Sequence, residues 1–270
     1  MRTNFLEKTL VFGGIFWGVL GMGLYFLGLA GLFYRDIVIA YGGICFGGLL
    51  YLLYRQKYYS EIKPFFLKIG QSIKKDWVFG LILAGFAGFA VLNFLIDLGP
   101  EVGFDALLYH LTLPKIYLVT HHISYLKGGL LYYSVMPRLA EMIYGFGLAL
   151  NPGGMLPKII HYFFGLFWFG GIYIFVRLFL SKKMALLAAL VGYGTYLVTW
   201  LSQTAYIDLI VAYFSVMALW GVFKYLCDES LRGVLATKQS INKDRRALRA
   251  RDDILYLSAI FMGLVLASKL

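Results

Sequence analysis

Residues 9–34 form a stretch of 26 residues without one charged side chain. As a helix it would be about 39 Å long at 1.5 Å per residue, more than the roughly 30 Å hydrocarbon core of a bilayer. In hydrocarbon no water meets the backbone amides and carbonyls, so a spanning chain is confined to helices or closed barrels. Further apolar runs at 37–54, 77–96, 159–176, 184–201, 206–226 and 254–270 are of helical rather than barrel-strand length. With 60% hydrophobic and 14% charged residues, the composition lies outside ordinary globular usage. The expectation is an all-α, polytopic transmembrane helix bundle of about seven spans. The first run follows Arg2 and Lys8 as a signal peptide would. It is too long for an apolar signal core and lacks a small-x-small cleavage site, so it reads as an anchor.

The net charge of +11 sits where topology needs it, not where nucleic acid would. Six basic residues fall in 55–75, three in 177–183 and eight in 224–251; with Arg2 and Lys8 these are 19 of the 25 Lys and Arg. If seven spans alternate, all 19 share one side, and the positive-inside rule makes it cytoplasmic. The segment after residue 96 and the start of the 206–226 run then face outward. Counting 135–150 as a span would invert everything after it. It therefore reads as a helix lying along the outer interface, with Pro137 in its first turn, and 104–119 as a similar interfacial helix kinked near Pro114. The basic segment 240–253 reads as a cytoplasmic loop or short helix beside anionic lipid, its bland reading a solvated topogenic loop.

Between 97 and 141 the chain gathers Asp97, Glu101, Asp105, His110, Lys115, Lys127, Arg138 and Glu141, and Asp208 stands alone inside a later apolar run. Ionisable groups in or beside spans are costly and usually mark a working site. On a helical wheel Asp105, Tyr109 and Thr112 share a face, while His110 points elsewhere. Two acids on one outward cavity can act as general base and stabiliser, or as ligands of a hard cation, Mg²⁺ or Mn²⁺. Lys115, Arg138, His110 and Lys269 are candidate partners of an anionic substrate group. The bland alternatives are that Asp105 caps a helix, that Lys115 and Arg138 snorkel to headgroups, and that Arg138 pairs with Glu141. Cys45 and Cys227 lack metal-like spacing and read as packing residues, as do the glycine pairs at 13–14, 42–43 and 170–171. His121 and His122 are adjacent, without the i, i+4 spacing of a metal pair.

The segments GFDALLYHLTLPKIYL (103–118), PRLAEMIYGFG (137–147), TAYIDLIVAYFSVMAL (204–219) and MGLVLASKL (262–270) resemble the opening half of a GT-C-type polytopic glycosyltransferase, in the protein O-mannosyltransferase and lipid A aminoarabinose transferase branch. The resemblance covers roughly 77–270 and divides the chain into two N-terminal spans with a basic loop (1–76) and a GT-C-like membrane module (77–270). It implies Asp105 as the first catalytic acid, with Asp97 as competitor, and Asp208 as the second; Glu101, Tyr109 and Glu141 are secondary candidates. Lys269 matches a basic position near donor phosphate in relatives. The implied reaction is inverting transfer of a sugar from a polyprenyl-phosphate carrier to an acceptor glycan, lipid or protein at the outward face of a bacterial or archaeal cell membrane. A divalent cation is the one cofactor it suggests. The family continues through more spans than this chain contains, which reads as truncation near residue 270. The competing class is a transporter or lipid-handling protein using Asp105 and Asp208 as proton or ion sites. The acids cluster at one face rather than the midplane, and no internal repeat is visible, which favours the enzyme.

Overall fold

The computed structural model describes residues 4–136, 138–235 and 244–269, with side chains described throughout these except at Leu130, 228–252 and Lys269. The chain is an all-α integral membrane protein, with no strand among the described residues. Helix α1 (Phe5–Leu29) is followed by α2 (Arg35–Arg55), α3 (Tyr59–Lys75) and α4 (Trp77–Asp97). A π-helical turn (Ala106–His110), α5 (Thr112–Thr120), a 3₁₀ segment (Gly129–Val135) and α6 (Leu139–Leu150) come next. The remainder is α7 (Met155–Val176), α8 (Lys182–Tyr193), α9 (Tyr196–Leu201), α10 (Asp208–Leu235) and α11 (Asp244–Lys269).

Local signals set the helix starts. The Asn4 side chain accepts the Glu7 amide while Glu7 reaches back to the Asn4 amide, a capping box that opens α1. Asp76 caps α4 by accepting the amides of Val78 and Phe79. The Lys183 ammonium, 2.7 Å away, holds the Asp76 carboxyl below its usual range and ties α4 to α8. Lys224 of α10 donates to Glu7 at 2.6 Å and lies over the Trp220 ring, so the start of α1 is clamped to the body of α10. Both partners are buried, and removing either alone would leave an uncompensated charge. Tyr213 and Phe214 of α10 pack with Phe164 of α7 and Phe261 of α11 at the centre of the bundle.

Five helical stretches are long and apolar enough to cross a membrane: α1, α2, α4, α7 and Asp208–Cys227 of α10. Two of the seven expected spans differ. The run 184–201 breaks after α8, because the Thr195 hydroxyl donates to the Gly192 carbonyl and accepts the Val198 amide, ending one helix and capping α9. In 254–270 the apolar part of α11 is the shorter stretch Asp253–Ser268, packed along α10. Most of the basic 240–253 segment lies outside the described side chains.

The helix expected at 135–150 is found as α6, Leu139–Leu150, but it is enclosed more fully than expected. Ten of the twelve residues of α6 are buried, enclosed by α1, α2, α5 and α7. A helix lying on the interface would leave one face to lipid; this one is surrounded by protein. It is about 18 Å long, too short to cross. Pro137, expected in its first turn, lies outside the described residues. Glycines let α6 approach: a Cβ on Gly21 would sit 2.5 Å from Leu139 Cδ1 and 3.1 Å from the Leu139 carbonyl oxygen, while one on Gly43 would meet nothing. Of each glycine pair at least one member faces a neighbouring helix, Gly14 against Phe261 and Gly171 against Val216. Cys45 and Cys227 are free thiols.

Gly21→Leu is expected to overpack this contact at a cost of about 1–3 kcal/mol. It should lower the thermal midpoint measured by detergent size-exclusion melting, whereas Gly43→Leu should melt as the parent does. Equal midpoints for the two variants would contradict the packing.

Candidate functional site

Leaving α4, the chain enters a polar segment that is lashed to the start of α10. Glu101 Oε1 accepts the amides of Val102 (2.9 Å) and Gly103 (2.7 Å), and Oε2 accepts the amide of Ala205 (2.6 Å). A Cβ on Gly103 would lie 3.0 Å from Glu101 Oε1, so glycine leaves room for the carboxylate. Two residues on, the Asp105 amide donates to the Tyr206 hydroxyl at 3.3 Å. The 201–209 segment is held from other sides as well. His161 of α7 donates from Nδ1 toward the carbonyls of Leu201 (3.0 Å) and Thr204 (2.7 Å), and its Nε2 accepts the Leu209 amide at 3.2 Å. Only the neutral ring with its proton on Nδ1 satisfies all of these contacts. The Tyr144 hydroxyl of α6 donates to the Tyr206 carbonyl, and Gln203 donates to Asn93 of α4 at 2.9 Å. Asp208, first residue of α10 and half-buried, therefore starts from a fixed platform.

The π turn sets the neighbouring side chains. Its wide pitch is closed by the Leu111 amide bonding the Ala106 carbonyl at 2.9 Å, five residues back. Thr112 was expected on the face of Asp105 and Tyr109. Instead the extra residue per turn rotates it, and its hydroxyl caps the Leu107 carbonyl at 2.6 Å. The same rotation turns His110 inward, where it is 1% exposed and its Nδ1 meets Glu141 Oε1 at 2.8 Å. Glu141, 4% exposed, thus pairs with His110 and not with Arg138, its neighbour three positions back. The other oxygen of Glu141 is buried without a hydrogen-bond partner among the described residues. Arg138 lies over the Tyr117 ring at 5.2 Å, with Nη1 buried and likewise unpartnered. Burial pushes the Tyr117 hydroxyl up to about 12 against the pull of that guanidinium.

Tyr109 packs against the His110 ring, with ring centres 4.0 Å apart. Its ring stacks on Tyr133 at 4.3 Å, and its hydroxyl is held well above the usual range, first by burial and then by Asp105, Glu141, Tyr133 and Asp208. Burial raises the Tyr144 hydroxyl too, with Glu141, Glu101, Asp208 and Asp97 adding to it. The five acids thus divide: Glu141 and Asp208 raise both hydroxyls, Asp105 raises that of Tyr109, and Glu101 and Asp97 raise that of Tyr144. They are not equivalent. Asp97 is 0% exposed, and both its oxygens lack hydrogen-bond partners among the described residues. Asp105 is half-buried and reachable.

Of the expected phosphate partners, Arg138 and His110 lie beside Glu141. Lys115 is exposed and pairs with no acid among the described residues, and the Lys269 side chain lies outside them. Arg138 also enters the wall of a cavity of about 490 Å³ that includes Met22 and Tyr25 of α1, Ser124, Leu139 and Ala267. Asp105 and Asp208 do not line that cavity. No group of three or more His, Cys, Asp or Glu among the described residues is placed to hold a metal ion. Lys158 and His161 belong to the site and were not singled out from sequence. Lys158, 2% exposed, donates to the carbonyls of Gly99 (3.1 Å) and Pro100 (3.3 Å), and with Glu101 it is the charge acting on Asp97. The signal was a lone Lys and a lone His at the mouth of an apolar run. No known protein family, curated protein or solved structure matches the chain.

Glu101→Gln leaves a single acceptor oxygen for amides on two segments. With hydrogen bonds to a charged group at roughly 1.5–3 kcal/mol, the Ala205 or Gly103 amide should exchange about tenfold faster or more. The α6 amides should keep their rates. Unchanged exchange at both loop positions would contradict the clamp.

Proposed function

We propose that this protein is a membrane glycosyltransferase of the GT-C type, moving a sugar from a polyprenyl-phosphate carrier to an acceptor at the outward face. The observation that carries the reading is that Glu101 and the Tyr206 hydroxyl tie the segment of Asp105 to the start of α10, where Asp208 stands. In this reading Asp105 takes the proton of the acceptor hydroxyl as its oxygen attacks the anomeric carbon. The bond from that carbon to the phosphate oxygen breaks, and its electron pair leaves on the polyprenyl phosphate. Attack opposite the departing phosphate inverts the anomeric centre. Asp208 stabilises positive charge developing on the sugar, and Arg138, with a guanidinium nitrogen not committed to another group, meets the departing charge. A divalent ion, if bound, would supply further neutralisation of phosphate charge; no step here depends on it.

The orientation is part of the proposal. Lys8, Lys183 and Lys224 are joined by ion pairs to Glu61, Asp76 and Glu7, gathering basic residues at the end of the bundle opposite the acids. In this reading the positive-inside rule turns the acids outward, and the membrane is the bacterial or archaeal cell membrane that the GT-C resemblance implies.

With polyprenyl-phosphate sugar in detergent, Asp105→Asn should lower transfer by roughly 10²–10⁴-fold, with the fold intact because amide and carboxylate are nearly isosteric. The buried Asp97→Asn should cost much less. Full activity in Asp105→Asn would end the mechanism. For topology, single cysteines replacing Lys127 and Arg245 in a Cys45→Ser/Cys227→Ser background should label from outside at 127 only. Labelling at 245 alone would reverse the orientation.

A further inference from the structure

At the end of the bundle away from the acids, α3 does not cross, and none of its residues is buried. Ile62, Phe66 and Ile73 fall on one stripe of it and remain 40%, 63% and 40% exposed. Lys63, Lys68, Lys74 and Lys75 occupy the rest of its circumference. Exposed apolar residues backed by lysines are the make-up of a helix that lies in the headgroup region. The Phe65 edge of α3 turns toward the protein, where Phe65 packs on Phe5 of α1 with ring centres 4.7 Å apart.

Beneath that edge lies a groove of about 800 Å³ between α3 and the ends of α1, α4, α7 and α8. Its apolar wall includes Phe65, Phe79 and Tyr173, and its cations are Lys8, Lys68 and Lys182. Lys8 is taken by Glu61, whereas Lys68 and Lys182 pair with no acid among the described residues. Lys183, adjacent in sequence, is occupied by Asp76. The groove therefore offers two uncommitted ammonium groups from different helices over an aromatic wall, next to side chains suited to acyl chains. We propose that it is a head-group site for an anionic phospholipid of the surrounding leaflet, with Lys68 and Lys182 holding the phosphate. The charge and the adjoining exposed apolar stripe together select a lipid over a free anion, which would gain nothing from Ile62, Phe66 and Ile73.

The test is native mass spectrometry of the full chain with phosphatidylglycerol or phosphatidylcholine of identical acyl chains. Phosphatidylglycerol should be retained roughly tenfold more than phosphatidylcholine. Lys68→Gln/Lys182→Gln should reduce it to the phosphatidylcholine level. Lys68→Arg/Lys182→Arg should retain the preference, and so should Lys74→Gln/Lys75→Gln, which removes two lysines of α3 outside the groove. Equal retention of both lipids by the parent would overturn the site, as would equal loss in the 74/75 variant, which would mean diffuse surface charge. Displacement of phosphatidylglycerol by millimolar inorganic phosphate would reassign the groove to a free anion and also overturn the proposal.

Discussion

The Glu101 carboxylate holds two otherwise separate parts of the chain in register. By accepting amides from Val102 and Gly103 on one oxygen and from Ala205 on the other, it fixes the polar segment after α4 to the turn that starts α10. The positions of both candidate acids rest on that join. Asp105 lies two residues beyond Gly103, and Asp208 three beyond Ala205. Glu101 shares that join with the Tyr206 hydroxyl, which accepts the Asp105 amide, and shared chemistry of the two acids depends on it.

The membrane environment explains why the clamp is built from so many polar contacts. Irregular backbone at depth is tolerated only where protein satisfies its amides and carbonyls. The 201–209 turn meets that requirement through His161, Tyr144, Gln203 and Glu101. Lys158 does the same for the carbonyls of Gly99 and Pro100. Enclosure of α6 makes it the wall on which His110, Glu141 and Tyr144 are arranged, and its glycine-assisted contact with α1 keeps that wall in place. A polar site resting on a rigid interior helix suits chemistry that needs fixed distances.

What the sequence made legible was length. Uninterrupted apolar runs place α1, α2, α4 and α7 within a few residues of their observed ends, because crossing length is a local property. The break at Gly194-Thr195 was written in the sequence but outweighed by the hydrophobicity around it. The burial of α6 was not legible: Arg138 and Glu141 suggested a wet interface, and only the fold brings His110 and Tyr117 to meet them. The π turn defeated the wheel at Thr112, since one added residue per turn rotates all that follows. Lys158 and His161 stand at the start of an apolar run, and their roles depend on carbonyls that are near only in three dimensions.

The central claim is that Asp105 and Asp208 serve one reaction as a unit. A double-mutant cycle on sugar transfer tests it most directly, with Asp105→Asn, Asp208→Asn and the double variant compared at equal expression. Groups that act together are strongly non-additive. The double variant should fall within about tenfold of the weaker single variant. Losses that multiply in full, or transfer that survives removal of both carboxylates, would contradict it.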